Sequence, residues 1–116
     1  MMITLNQQLP HYLTQMSHQD AAQRELAAAY LSDILEYETV DLTTQQQIID
    51  QLSKQLASED NLSVMEALLN ALSFCCYRSL TLPLALVRSR YHQFDANCRA
   101  QADIILAEGA GDNHQH

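Results

Sequence analysis

Ser63-Val64-Met65-Glu66-Ala67-Leu68-Leu69-Asn70-Ala71-Leu72 decides how this chain reads. Met65, Leu68, Leu69 and Leu72 recur at spacings of three and four, the period of an α-helix. Continued to Cys75 and Cys76, the apolar face becomes wider than one-sided burial requires. The stretch therefore reads as a helix covered on two sides, at the centre of the fold. Asn61 or Ser63 is placed to cap it, Glu66 stands three residues after Ser63 as in a capping box, and the helix is expected to run to about Tyr77.

The same period extends in both directions. Upstream, Ile48, Ile49, Leu52 and Leu56 form the stripe of a helix over residues 44–58, with Asp41 or Thr43 as its cap. Before it, Ala22, Leu26, Ala29, Tyr30, Asp33, Ile34 and Tyr37 mark one face of a helix over 19–37. Ser17 to Asp20 is a break. Residues 3–16 form a weaker helix, which Pro10 allows only if it starts or kinks there. Downstream, residues 78–83 turn the chain. Pro83 suits the first turn of a fifth helix, which continues to about Glu108. Its stripe is Leu84, Val87, Tyr91, Phe94, Cys98, Ala102 and Ile105. Asp95-Ala96-Asn97 is a place where this helix can divide in two. Gly109 and Gly111 should end it, leaving 112–116 as a flexible tail.

With 116 residues the chain makes one domain, placed at 1–111, large enough to bury roughly two-thirds of its unfolded surface. Only two glycines and two prolines are present, too few for a turn-rich β-sandwich or barrel. The expected fold is all-α: four to five helices in antiparallel hairpins, either a HEAT-like stack or a compact bundle. An odd number of cysteines, two of them adjacent, does not form a disulfide framework, so a reduced, cytoplasmic setting is expected. No signal peptide or run of ~20 apolar residues is visible, and no membrane partner is expected.

Charge is unevenly divided. Ten acids stand against Arg24 and Lys54 in residues 1–66, whereas four acids balance four arginines in residues 67–116. The net charge of -8 thus comes from the first half. Such a field repels phosphate and attracts cationic protein surfaces, so a nucleic-acid partner is not expected and a basic protein is. Glu36, Glu38 and Asp41 crowd the end of the second helix, where the helix dipole favours cations instead.

No sequence pattern for catalysis is found. GxxxxGK(S/T), GxGxxG, GxSxG and HExxH do not occur. His114 and His116 flank Gln115 as a loose metal-binding possibility, but read more simply as a surface tail. Glu36, Glu38 and Asp41 alternate like calcium ligands yet lack the glycine of a calcium loop, and read as a solvated face. Cys75, Cys76 and Cys98 fall on apolar stripes, where a thiol packs as a small hydrophobe. His92 lies nearly opposite Cys98 around a helix, so Cys98, His92 and Asp95 make a poor nucleophilic triad. Arg88, Arg90 and His92 form too small a basic cluster for nucleic acid and are expected to pair with acids of the first half or sit on a rim. No enzyme, cofactor or metal is expected. Asp33, Glu36, Tyr37, Glu38, Asp41, Glu59 and Asp60 are the candidate partner-binding residues, with Tyr12, Tyr30 and Tyr37 as interface-type aromatics.

Val64 to Leu72 resembles the inner helix of a HEAT-like unit, and Ile48-Ile49-Asp50-Gln51-Leu52 the outer one. Together they resemble small, acidic, all-helical bacterial immunity proteins, including those of contact-dependent growth inhibition. The resemblance implies a stoichiometric inhibitor of a basic nuclease toxin, its acids occluding a cleft built for phosphate. An acidic adaptor or secretion chaperone without catalytic activity is the alternative.

Overall fold

The computed structural model describes residues 5–37, 40–74 and 81–113. They form six helices and no strand: α1 (Leu5–Gln15), α2 (Ala21–Tyr37), α3 (Leu42–Ser58), α4 (Leu62–Leu72), α5 (Thr81–Arg90) and α6 (Ala96–Asn113). The all-α expectation holds, with one helix more than expected because the fifth divides. Arg90 leaves the α-helical region (φ -104°, ψ 1°), Tyr91–Gln93 form a single 3-10 turn, and Phe94 is extended (φ -80°, ψ 141°). Asp95 then caps α6, its Oδ1 accepting the Cys98 backbone N–H at 2.9 Å.

The helices pack as three successive hairpins, α1/α2, α3/α4 and α5/α6. The second members form one layer, in which α2 packs on α4 and α4 on α6. In the other layer α3 packs on α5. Among the described residues α2 and α6 have no comparable packing, so the arrangement is an open stack and not a closed bundle. Its dimensions, 45 × 33 × 18 Å, agree: the short axis is about two helix layers at a spacing of 8–10 Å.

Contacts between side chains give the directions. Asn70 Nδ2 donates to Ser32 Oγ at 3.0 Å, and Cys98 Sγ lies 3.5 Å from the Leu62 carbonyl. The start of α6 thus lies beside the start of α4, and α2 runs alongside α4 in the same sense.

The expected central helix is central. Val64, Met65, Leu68, Leu69, Ala71 and Leu72 are all buried, and α4 packs against α2, α3 and α6. Asn61 is its cap, with Oδ1 accepting the Val64 N–H at 3.1 Å; Ser63 lies inside the helix instead. The helix ends at Leu72, earlier than Tyr77, and Cys75, Cys76 and Tyr77 lie outside the described residues. In α3 the expected stripe of Ile48, Ile49, Leu52 and Leu56 is fully buried. On α5 and α6, Val87, Phe94, Cys98, Ala102 and Ile105 are buried, with Leu84 and Tyr91 half-buried.

The face of α2 is corrected. Its buried residues are Ala27, Ala28, Leu31, Ser32 and Ile34. Of the expected face only Ile34 is buried and Tyr30 half-buried; Ala22, Ala29 and Asp33 are exposed, and Leu26 and Tyr37 are 57% and 73% exposed. Alanines on every side of α2 offer two apolar stripes in the sequence. The buried one is narrow and small-sided because α2 lies close against α4, where Ala71 is also fully buried.

Helix α1 starts at Leu5, not near Pro10, and carries that proline in its interior, forgoing one backbone bond there. The expected stop at the C-terminal glycines fails. Helix α6 passes through Gly109 and Gly111 as far as Asn113, so neither glycine stops it. His114 and His116 lie outside the described residues.

Because α4 is enclosed on several sides, truncating its core should be costly. Leu69→Ala is expected to destabilise the fold by roughly 2–5 kcal/mol in a denaturant titration, as core truncations do. A loss below ~0.5 kcal/mol would mean that α4 is not the centre of the stack.

Candidate functional site: the acidic corner and the inner face

The seven candidate residues do not form one patch. Glu59 turns inward: it is 2% exposed, and its carboxylate accepts from Arg24 Nε at 2.9 Å and Arg24 Nη2 at 2.8 Å. Gln55 Nε2 (2.8 Å) and the Asn61 N–H (3.1 Å) complete its partners. Arg24 also donates through Nη1 to the carbonyls of His18 and Gln19, at 2.8 and 3.0 Å. This bidentate pair ties the α1–α2 loop to the α3–α4 linker, a structural role that removes Glu59 from the binding face.

Position along α2 separates the others. Arg24 anchors the α3–α4 linker, and so Asp60, at the first turns of α2. Asp33, Glu36 and Tyr37 lie at its far end, about 18 Å away at 1.5 Å per residue. Asp60 is exposed but belongs to the opposite end of the molecule.

At the far end, α2 finishes on Tyr37 and α3 begins on Leu42. These two side chains are 73% and 68% exposed, more than any other large apolar residue among those described. Asp33 and Glu36 in the last turns of α2 and Asp41 just before α3 are exposed as well; Glu38 lies outside the described residues. Asp41 has a second occupation as the cap of α3, with Oδ1 accepting the Thr44 N–H at 2.7 Å. Its contacts to Thr44, hydroxyl first and backbone second, hold the carboxyl below its ordinary range. Reversing its charge would therefore disturb α3 as well as the surface.

The tyrosines divide. Tyr12 and Tyr30 stack on one another, centroids 3.8 Å apart, and Tyr30 hydrogen-bonds Gln8, so both are spent holding α1 on α2. Only Tyr37 remains for a partner.

Among the described residues the one ion pair is Arg24–Glu59, and no described arginine of the second half pairs with a described acid of the first. Arg90 donates to the Leu56 carbonyl, meeting the end of α3 as a C-terminal cation should, and to Gln93. Arg99 lies over the Tyr91 ring, 5.4 Å from its centroid, while Tyr91 donates to Asp103. Arg88 is exposed, and Arg78 lies outside the described residues.

A second surface was missed by sequence reading. Between α2, α4 and α6 runs a solvent-open groove of about 390 Å³, lined by Glu25, Ser63, Glu66, Ala67, Asn70 and Gln101. The signal lay in the polar residues at the edges of otherwise apolar helices. Seeing it required knowing that α2, α4 and α6 lie side by side.

Cys98 sits in the core as expected. Burial, aided by Asp95 and Glu66, pushes its thiol up to about 12, so it stays protonated and a poor nucleophile at neutral pH. His92 is exposed. Among the described residues no group of three or more potential metal ligands converges, and no helix is long and apolar enough to cross a membrane. In comparison with family models, curated proteins and solved structures, the chain finds no match.

Burial alone would push the Glu59 carboxyl up, but its bonds to Arg24, Gln55 and the Asn61 N–H prevail and hold it below its ordinary value. The stability it contributes is therefore present above the ordinary glutamate range and lost as pH falls through the lowered folded value. In urea titrations, the stability advantage of the native chain over Glu59→Gln should shrink as pH drops below that range. Arg24→Met strands the carboxylate and should cost about 3–5 kcal/mol at neutral pH. An Arg24→Met chain as stable as the native one would show that the pair does not hold the loops.

Proposed function

We propose that this chain is a protein-binding immunity protein, HEAT-like in its stack of hairpins, that neutralises a basic, nuclease-type toxin domain by occluding its active site. The observation that carries the reading is the corner between α2 and α3. Tyr37 and Leu42 are exposed there, and so are Asp33, Glu36 and Asp41, their neighbours along the chain. Large apolar side chains are kept in water at a cost, and an exposed tyrosine with carboxylates beside it in the chain has the composition of an interface anchor with a polar rim. Carboxylates at the C-terminal end of α2 also work against its dipole, an arrangement that a cationic partner would relieve.

A nuclease cleft is built to attract phosphate and is therefore positive. A rigid surface with free carboxylates competes for the same field, and long-range attraction speeds the encounter. The open stack supports this use, since it presents extended surface without needing a cavity.

The test is to express the neighbouring reading frames and measure binding of any basic, nuclease-type product to this chain. Glu36→Lys with Tyr37→Ala should retain native helicity and weaken the complex by roughly tenfold or more in calorimetry. Affinity of the native chain should fall as salt rises. Unchanged affinity of the double variant would remove the corner from the interface. A complex that leaves nuclease activity intact would instead indicate an adaptor or secretion chaperone.

A further inference from the structure

The groove on the inner layer is a different surface from the corner. Its walls come from three neighbouring helices: Glu25 from α2, Ser63, Glu66, Ala67 and Asn70 from α4, and Gln101 from α6. From Ser63 to Asn70 it follows α4 for about 10 Å. Its volume, about 390 Å³, is within the range of ligand sites, but such sites are mostly apolar. Here the lining is carboxylate, hydroxyl and amide, which suits a polar side chain delivered by a protein segment better than an apolar small molecule.

The charge balance narrows the occupant. Glu25 and Glu66 approach the groove from different helices, and among the described residues neither is in an ion pair. Glu66 is half-buried on the central helix. Arg24, next to Glu25 in sequence, is taken by Glu59, and Arg99, two residues before Gln101, lies over the Tyr91 ring. Asn70 donates through Nδ2 to Ser32 and carries an amide oxygen that can only accept. Two carboxylates and amide acceptors on a shallow wall match a forked, planar, permanently charged donor better than a point charge.

We propose that this groove seats an arginine-bearing segment of the basic partner, the guanidinium lying between Glu25 and Glu66. The proposal rests on the reading of the partner as basic, but not on the corner. A partner that used both surfaces would lie along α2, because Glu25 and Glu36, eleven residues apart, are within about 20° of each other around that helix.

The probe is a labelled, alanine-based synthetic helix with arginines at i and i+4, with a second peptide carrying neutral, isosteric citrulline at both positions. Native chain should bind the arginine peptide measurably and the citrulline peptide not at all in fluorescence anisotropy. Glu25→Gln with Glu66→Gln, which keeps size and removes charge, should lose about tenfold or more in affinity. Asp20→Asn with Asp50→Asn removes the same charge elsewhere, keeps the cap of α2, and should bind as the native chain does. Equal binding by the Glu25/Glu66 variant, equal loss in the Asp20/Asp50 control, or equal binding of citrulline would each overturn the proposal. The toxin domain separates the two surfaces: full binding by the Glu25/Glu66 variant with loss in the Glu36/Tyr37 variant sinks the groove and leaves the corner standing.

Discussion

Arg24 and Glu59 form the contact on which the order of the stack depends. A helical hairpin can bury its apolar stripe against a neighbour in more than one rotation, because apolar packing is not directional. A bidentate ion pair is directional. With Glu59 1% exposed at its side chain and Arg24 17%, little water is available to replace either partner. The pair joins the first turn of α2 to the residues between α3 and α4, and the His18 and Gln19 carbonyls bring in the end of the first hairpin. Burying two charges gains little net stability over an apolar pair, but breaking one side is expensive. What it supplies here is register: where α2 begins relative to α4.

That register decides which surfaces the molecule presents. With α2 pinned at its start, Ser32 meets Asn70, and small side chains at Ala27, Ala28 and Ala71 let the two helices approach closely. The polar edges of α2, α4 and α6 then border one groove, and the other end of α2 carries Tyr37 and Glu36 out to the corner with α3. Both surfaces are acidic for different reasons. The groove draws its carboxylates from separate helices, while the corner owes its charge to consecutive stretches of chain.

The helices were legible wherever apolar residues were large and one-sided. Ile48, Ile49, Leu52 and Leu56 leave no second choice of face, and Leu68, Leu69 and Leu72 mark the helix that is enclosed. The cap of α3 was readable from Asp41, and the break near Asp95 from its local chemistry. Helix α2 was misread because alanine is compatible with either side, so only the neighbour could choose. The candidate site was half legible. Asp33, Glu36, Tyr37 and Asp41 are exposed together, but Glu59 looked like any other acid in a polar linker, and its partner lies thirty-five residues away.

The amino-acid sequence by itself determined an acidic, all-helical chain, the positions of most of its helices, and the concentration of negative charge in its first half. These follow from local periodicity, capping chemistry and composition, which act within a few residues along the chain. Only the tertiary structure decided that the hairpins form an open stack, that one acid is withdrawn into an ion pair, that Tyr12 and Tyr30 stack on each other while Tyr37 is left out, and that Glu25 and Glu66 line a common groove. Those outcomes depend on which helices lie side by side, and that is fixed by close approach and directional pairing between residues far apart in the chain.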